Sequence, residues 1–256
     1  LNRWDDAISH YKKALVINPN FTEAFFNMGI TYQSQAFFDK AIESYESALN
    51  LQPGFYEAIG NIGTIKQLQG DLDSAIKYFE KALNINEDAR GHYNLAGALR
   101  NHGNLVIAID HYKKAIKISS NEPEFYSDLG DALWHDGQIK EANQFLRLAI
   151  EINPNHSKAN YQLAIFLYDN TMFEEAIKYF EVSQFEDWEE RTLYCFYKLE
   201  NFDQFDLRLK KAVTHKNASP FLATLSTHYS QNMKIKDIYN FCPSPLDFVC
   251  HEKIPE

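Results

Sequence analysis

Apolar residues along the chain recur at offsets of three and four, the spacing of one helical face, not in the alternation of a half-buried strand. From Thr22 to Gln35 the stripe is Phe25, Met28, Gly29 and Tyr32; from Asp39 to Leu51 it is Ala41, Ile42, Tyr45, Ala48 and Leu49. Each segment is a predicted amphipathic helix whose apolar stripe needs another element to cover it. The pattern then returns. Ala41-Ile42, Ala75-Ile76, Ala108-Ile109 and Ala176-Ile177 stand at spacings of 34, 33 and 68 residues, with Ala142-Asn143 filling the gap. Seven residues after each first Ala comes another small side chain: Ala48, Ala82, Ala115, Ala149 and Ser183. Gly70, Gly103 and Gly137 precede that first Ala by five residues, at the turn where a left-handed backbone costs glycine least. Pro19, Pro53 and Pro154 follow second helices and stop them. The repeating unit is therefore a pair of helices, the second lined with small residues so that its neighbours approach closely.

The small–aromatic spacing, the Leu-Gly-like pairs Met28-Gly29, Ile62-Gly63 and Leu129-Gly130, the Ala of the second helix and the closing Pro resemble the tetratricopeptide repeat. In that register the full units are 22–55, 56–88, 89–122, 123–156 and 157–186. Residues 1–21 match a second helix alone, through Trp4, Ala7, Tyr11, Ala14 and Pro19, so the chain is expected to open within a repeat. A degenerate unit, 187–216, keeps Tyr194, Tyr197, Phe202 and Ala212 but lacks the Gly and the Pro. Ala36 and Thr171 stand where other units place the turn Gly. Ser157 and Asn121 are the expected starts of later helices. Ser219-Pro220 reads as a cap and first helical residue, opening capping helices over 217–240: one to about Gln231, a second over Lys234 to Tyr239. Residues 241–256 read as an extended linker or tail. The expected fold class is all-α. The resemblance implies a right-handed superhelical solenoid of antiparallel helix pairs, each hairpin sheltering its neighbour's apolar face.

The resemblance also implies that first helices line an inner groove. Asn27, Asn61, Asn94, Asp128 and Gln162 hold one repeat place on them. A side-chain amide carries donors and an acceptor, so a row of them suits an extended peptide backbone. The row resembles the asparagine ladder inside the repeats of O-linked N-acetylglucosamine transferase. Arg90, Tyr93 and Tyr161 stand beside it, with Arg100 and Trp134 further along the same helices. Aromatic and Arg side chains are typical binding anchors; equally, such rings pack between hairpins. Repeats that capture acidic chaperone tails resemble one another in carrying Lys and Arg at set groove places. Those places hold Phe26, Gly60, Tyr93 and Ser34 here, so that clamp is absent.

Charge and candidate chemistry narrow the function. With 25 Lys and Arg against 35 Asp and Glu, a net charge of −10 argues against a grip on nucleic acid phosphates. No apolar run is long enough to cross a membrane. The odd count of cysteines, Cys195, Cys242 and Cys250, favours a reducing compartment, and a cytoplasmic location is assigned on that ground. No His-x-x-x-His or Cys-x-x-Cys spacing occurs, and Cys242, Cys250 and His251 make only a weak metal motif, so no metal, cofactor or catalytic residue is assigned. The expected function is a protein-interaction scaffold holding a protein or peptide ligand in its groove. An alternative rests on Tyr239 to Pro243 and Pro245 to Phe248, which resemble the junction before a 2-oxoglutarate/Fe(II) oxygenase domain in marine bacterial repeat proteins. This segment is then the substrate-recognition arm of a larger enzyme, an O-linked glycosyltransferase being the other candidate. A third reading is self-association through exposed repeat ends, where Trp4, Ile8 and Tyr11 are expected to be uncovered.

Overall fold

A computed structural model describes residues 2–185, 187–214, 219–234 and 237. Among the described residues every regular element is an α-helix. In chain order they are α1 (Asn2–Ile17), α2 (Thr22–Ser34), α3 (Phe38–Leu51), α4 (Tyr56–Leu68), α5 (Leu72–Ile85), α6 (Ala89–Asn101) and α7 (Leu105–Ile118). Then follow α8 (Pro123–His135), α9 (Ile139–Ile152), α10 (Ser157–Asp169), α11 (Phe173–Ser183), α12 (Trp188–Lys198), α13 (Phe202–Thr214) and α14 (Pro220–Met233). The fold class is an all-α helical repeat. The chain divides into two compact units, Leu1–Phe145 and Leu146–Glu256.

Each hairpin closes through one left-handed residue. Gly70, Gly103 and Gly137 have φ of 80°, 93° and 81°, and Ala36, Thr171 and Glu200 take the same place with φ of 59°, 60° and 55°. Behind each, a backbone N–H reaches back six residues' worth of turn to a helix carbonyl: Phe37 to Tyr32 at 2.9 Å, Asn104 to Leu99 at 2.8 Å, Met172 to Leu167 at 2.8 Å. That bond satisfies a carbonyl the ending helix leaves orphaned. The geometry is kept even where the sequence supplies no glycine.

In the first unit, α2 pairs with α3, α4 with α5 and α6 with α7, and α3, α5 and α7 each pack on the helix that follows. Small residues set the spacing. Ala41, Ala75, Ala108 and Ala142 have no exposed surface. A Cβ on Gly29 would lie 2.5 Å from the Tyr45 ring, and one on Gly63 would lie 2.9 Å from the Phe79 ring. At these two glycines rings of the second helix come close against the backbone of the first. Tyr45, Phe79 and, in the next hairpin, Tyr112 are wholly enclosed, and each such burial contributes about 1.5–3 kcal/mol. In the second unit α10 pairs with α11, α11 packs on α12, and α12 meets both α13 and α14. Ala176, Phe180, Leu163, Phe205 and Cys195 form its interior, where burial pushes the Cys195 thiol up to about 12 and leaves it unreactive.

Several local expectations are corrected. The cap of α10 is the imidazole of His156, whose Nδ1 accepts the Ala159 N–H at 3.1 Å; Ser157 is inside the helix and its hydroxyl donates to the Ser183 carbonyl. Glu122, not Asn121, precedes α8, whose first turn opens on Pro123, and no side chain caps it. Ser219 caps α14 as expected, accepting the Leu222 N–H, but the helix runs on to Met233. Lys234 has a left-handed φ of 55° and ends α14 instead of starting a second helix. Ile8 is buried, because α1 packs on α2 with that face; Trp4 remains 46% exposed. Of the rest of the expected helix to Tyr239 only Asp237 is described, non-helical and accepting from the Ser226 and Thr227 hydroxyls; the 241–256 tail with Cys242, Cys250 and His251 lies outside the described residues. Among the described residues no helix is long and apolar enough to cross a membrane, and no cluster of three or more His, Cys, Asp or Glu is arranged to hold a metal ion.

Candidate functional site

Asn27, Asn61, Asn94 and Asp128 lie half-buried on α2, α4, α6 and α8, one per first helix of the first unit; Gln162 has the same place on α10 in the second. Their roles differ. Asn61 donates through Nδ2 to the Tyr45 hydroxyl at 3.2 Å, and that hydroxyl donates to Gln33 Oε1 at 2.7 Å. The second-helix tyrosine is thereby tied to its own repeat and to the next. Burial raises the Tyr45 pKa far above the ordinary phenol range, so the hydroxyl stays a donor. Asp128 accepts from the Tyr93 hydroxyl at 2.6 Å, linking α8 to α6, and burial together with that carboxylate raises the Tyr93 pKa likewise.

The expected anchors are also engaged within their own unit. Arg100 pairs with Asp131 at 2.9 Å, and although burial opposes its charge, Tyr112, Asp128 and Asp131 more than compensate. Arg90 is exposed and holds its guanidinium over two rings, 5.5 Å from the Tyr93 centroid and 5.3 Å from that of Phe125. Trp134 is half-buried against the interior formed by Leu95, Leu99 and Leu129, so it is a packing residue over much of its surface, not a free anchor. In the second unit Tyr161 donates to Asp187 Oδ1 at 2.6 Å, where Arg191 Nε also binds at 2.9 Å. Tyr93, Tyr161 and Trp134 are thus held in the array in place of standing out from it, because first helices lie close enough for long side chains to reach across.

One concavity gathers part of the predicted set. A cavity of about 310 Å³ opens between α2, α4 and α6 and is lined by Asn61, Asn94 and Arg90. Its walls include Phe26, Gly60, Phe79 and Leu83. Asn27, Asp128, Arg100 and Trp134 are not part of it, and Gln162 and Tyr161 belong to the other unit. Sequence reasoning missed Asp88 and Gly91, which also line it. Asp88 caps α6 by accepting the Gly91 N–H at 2.6 Å, and a Cβ at Gly91 would come within 2.7 Å of the end of the Leu83 side chain, which would have to give way. The Asp-Ala-Arg-Gly string was the available signal, since an Asp three residues before a bare backbone position reads as a helix start.

Comparison with known proteins agrees with this architecture. Four family models match: "TPR repeat" over residues 1–35, "Tetratricopeptide repeat" over 22–55 and again over 55–120, and "YpiA-like, C-terminal tetratricopeptide repeats" over 91–156. No curated protein matches the chain. Among solved structures, PilF of Pseudomonas aeruginosa superposes with a TM-score of 0.71 at 16% identity, over 81% of this chain and 97% of its own. YrrB, described as a TPR protein with an unusual peptide-binding site, gives 0.57 at 20% identity, over 74% and 97%. MamA gives 0.55 at 24% identity, over 64% and 95%. At these identities the likeness establishes the fold. Shared helical-hairpin architecture and family matches running from residue 1 to residue 156 together make this chain a member of the tetratricopeptide-repeat proteins.

Proposed function

We propose that the first unit is a protein-interaction scaffold that holds an extended peptide segment along α2, α4 and α6. The observation that carries this reading is the convergence of Asn61 and Asn94 on one cavity, with Arg90 at the same opening. Side-chain amides on successive repeats offer both donors and acceptors to a peptide main chain, whatever its side chains, while the apolar walls take a side chain between them. The description of YrrB, a similar repeat protein, as having a peptide-binding site supports the class of ligand. The net charge of −10 favours a protein partner over nucleic acid.

The test is a peptide array, probed with the native chain and with Asn27→Ala/Asn61→Ala/Asn94→Ala. Each lost hydrogen bond is worth about 0.5–1.5 kcal/mol, so loss of two or three weakens a bound peptide roughly tenfold or more. A thermal melt of the variant separates lost contacts from lost fold, since Asn61 also braces Tyr45. Unchanged array binding by a folded variant rejects the groove.

A further inference from the structure

The first-helix place that precedes the amide row holds Phe26, Gly60, Tyr93, Ser127 and Tyr161. Where it carries a ring, that ring sits in a recurring aromatic nest. Phe26 lies 5.7 Å from the Tyr45 ring and 4.6 Å from that of Phe55. Tyr93 lies 5.8 Å from Tyr112 and 4.7 Å from Phe125. Tyr161, in the second unit, lies 5.9 Å from Phe180 and 5.5 Å from Phe185. One partner is always the aromatic residue four positions after the buried Ala of the repeat's own second helix; the other belongs to the segment that follows that helix. Offset and tilted rings at these separations attract beyond their area alone.

Two repeats break the series, the fourth with Ser127 at this place and the second with Gly60. Phe79 stands where Tyr45, Tyr112 and Phe180 stand elsewhere, so the base of the nest is present. Phe79 is enclosed all the same, but the first-helix place carries no ring, because it is Gly60, and a Cβ built there meets no atom within 4 Å. The next repeat offers Asp88 and Gly91 where other nests have Phe55 or Phe125. The cavity of about 310 Å³ lies there, with the Phe26 ring on its wall.

We infer that this cavity is a socket for an aromatic side chain of a peptide ligand, which supplies the ring the second repeat lacks. The inference rests on the peptide-scaffold reading and gives it a specificity: Asn61 and Asn94 hold main chain on either side, and a Phe- or Tyr-class residue seats between Phe26 and Leu83 in the space left at Gly60. The Phe26 ring on one wall, and a place that carries a ring in three other repeats, favour a ring over an aliphatic chain, and the absence of a side chain at Gly60 is what lets it in. Arg90 at the opening is already held over Tyr93 and Phe125, so its charge is positioned without further ordering.

The test uses acetyl-Gly-Gly-Phe-Gly-Gly-amide and its Leu and Ala counterparts, titrated by saturation-transfer NMR against the native chain, Gly60→Ala and Gly60→Phe. Gly60 lies within α4 and has no positive φ, so a side chain there meets no backbone strain. The Phe peptide is expected to bind the native chain at least about tenfold more tightly than the Ala peptide, a difference of about 1.4 kcal/mol. Gly60→Phe fills the vacancy from within: it is expected to weaken that peptide about tenfold or more while raising Tm by a few degrees, with Gly60→Ala between. Equal binding of the Phe and Ala peptides by the native chain overturns the socket without any variant. So does equal binding of the Phe peptide by native and Gly60→Phe protein. Array peptides that survive Gly60→Phe but are lost in the triple Asn variant leave the groove standing and remove the socket; peptides indifferent to both remove the groove as well.

Discussion

At the scale of single residues, backbone strain and protonation are the two quantities most open to measurement. Ala36 and Thr171 occupy left-handed turns that Gly70, Gly103 and Gly137 fill elsewhere. A non-glycine residue in that region costs about 1–2 kcal/mol, more for a β-branched one. Ala36→Gly and Thr171→Gly are therefore expected to stabilise the protein, by about 0.5–1 kcal/mol each after the greater chain entropy of glycine is discounted, read as a higher urea midpoint. His92 and His111 make a second case. Their Nδ1 atoms lie 2.9 Å apart, a contact that needs one proton between them, and His92 Nε2 meets Glu87 Oε1 at 3.0 Å. Burial lowers the His111 pKa below its ordinary 6.5, Lys114 and His92 add to this, and Asp110 opposes it. The unfolded chain then takes up a proton at this residue before the folded one does. Stability tied to neutral His111 is present above about pH 6.5 and drains away as pH falls through that value towards the lower folded pKa. Between pH 8 and pH 6 the native chain is expected to lose more stability than His111→Asn; equal losses by urea titration would dismiss the effect.

Individual helices are specified by their stripes, but their partners are specified by what the stripes contain. Ala41, Ala75 and Ala108 recur because the second helix is enclosed by its own first helix and the next, leaving no room for a larger side chain at that place. Gly29 and Gly63 let a second-helix ring come close to the first helix at the same place in successive hairpins. Polar ties then cross between neighbouring repeats: Asn61 to Tyr45, Tyr93 to Asp128, Arg100 to Asp131. The amide row was legible in the sequence as a row, since a fixed period places Asn27, Asn61 and Asn94 alike. What each member does was not. Identical places make different bonds: Asn61 meets the Tyr45 hydroxyl, Asn94 faces a cavity with Phe79, which has none to offer, and Asp128 takes the Tyr93 hydroxyl while that of Tyr112 stays without a partner.

For the molecule as a whole, nearest-neighbour packing sets how a local injury spreads. In a repeat array stability is the sum of each hairpin's own term and its interfaces with the adjacent hairpins. Phe79→Ala opens a large void beside Gly63 and is expected to cost about 3–5 kcal/mol. Amide hydrogen exchange should then lose protection most in α4, α5 and α6, less in α2 and α3, and least in α12 to α14. A uniform loss across all helices would instead mean that the array unfolds as one cooperative block.

By itself the sequence determined helix positions, turn sites, repeat period and family, because these depend on residue order along one chain and on a spacing that needs no partner. It also marked the small residues that end up enclosed, since size at a fixed offset is a local property. The tertiary structure alone decided which groove side chains are spent on neighbours, that Ile8 is covered by packing on α2, and that Gly60, Asp88 and Gly91 surround one vacancy. Those outcomes depend on side chains from three helices meeting in space, and a missing ring becomes a cavity only when the walls around it are fixed.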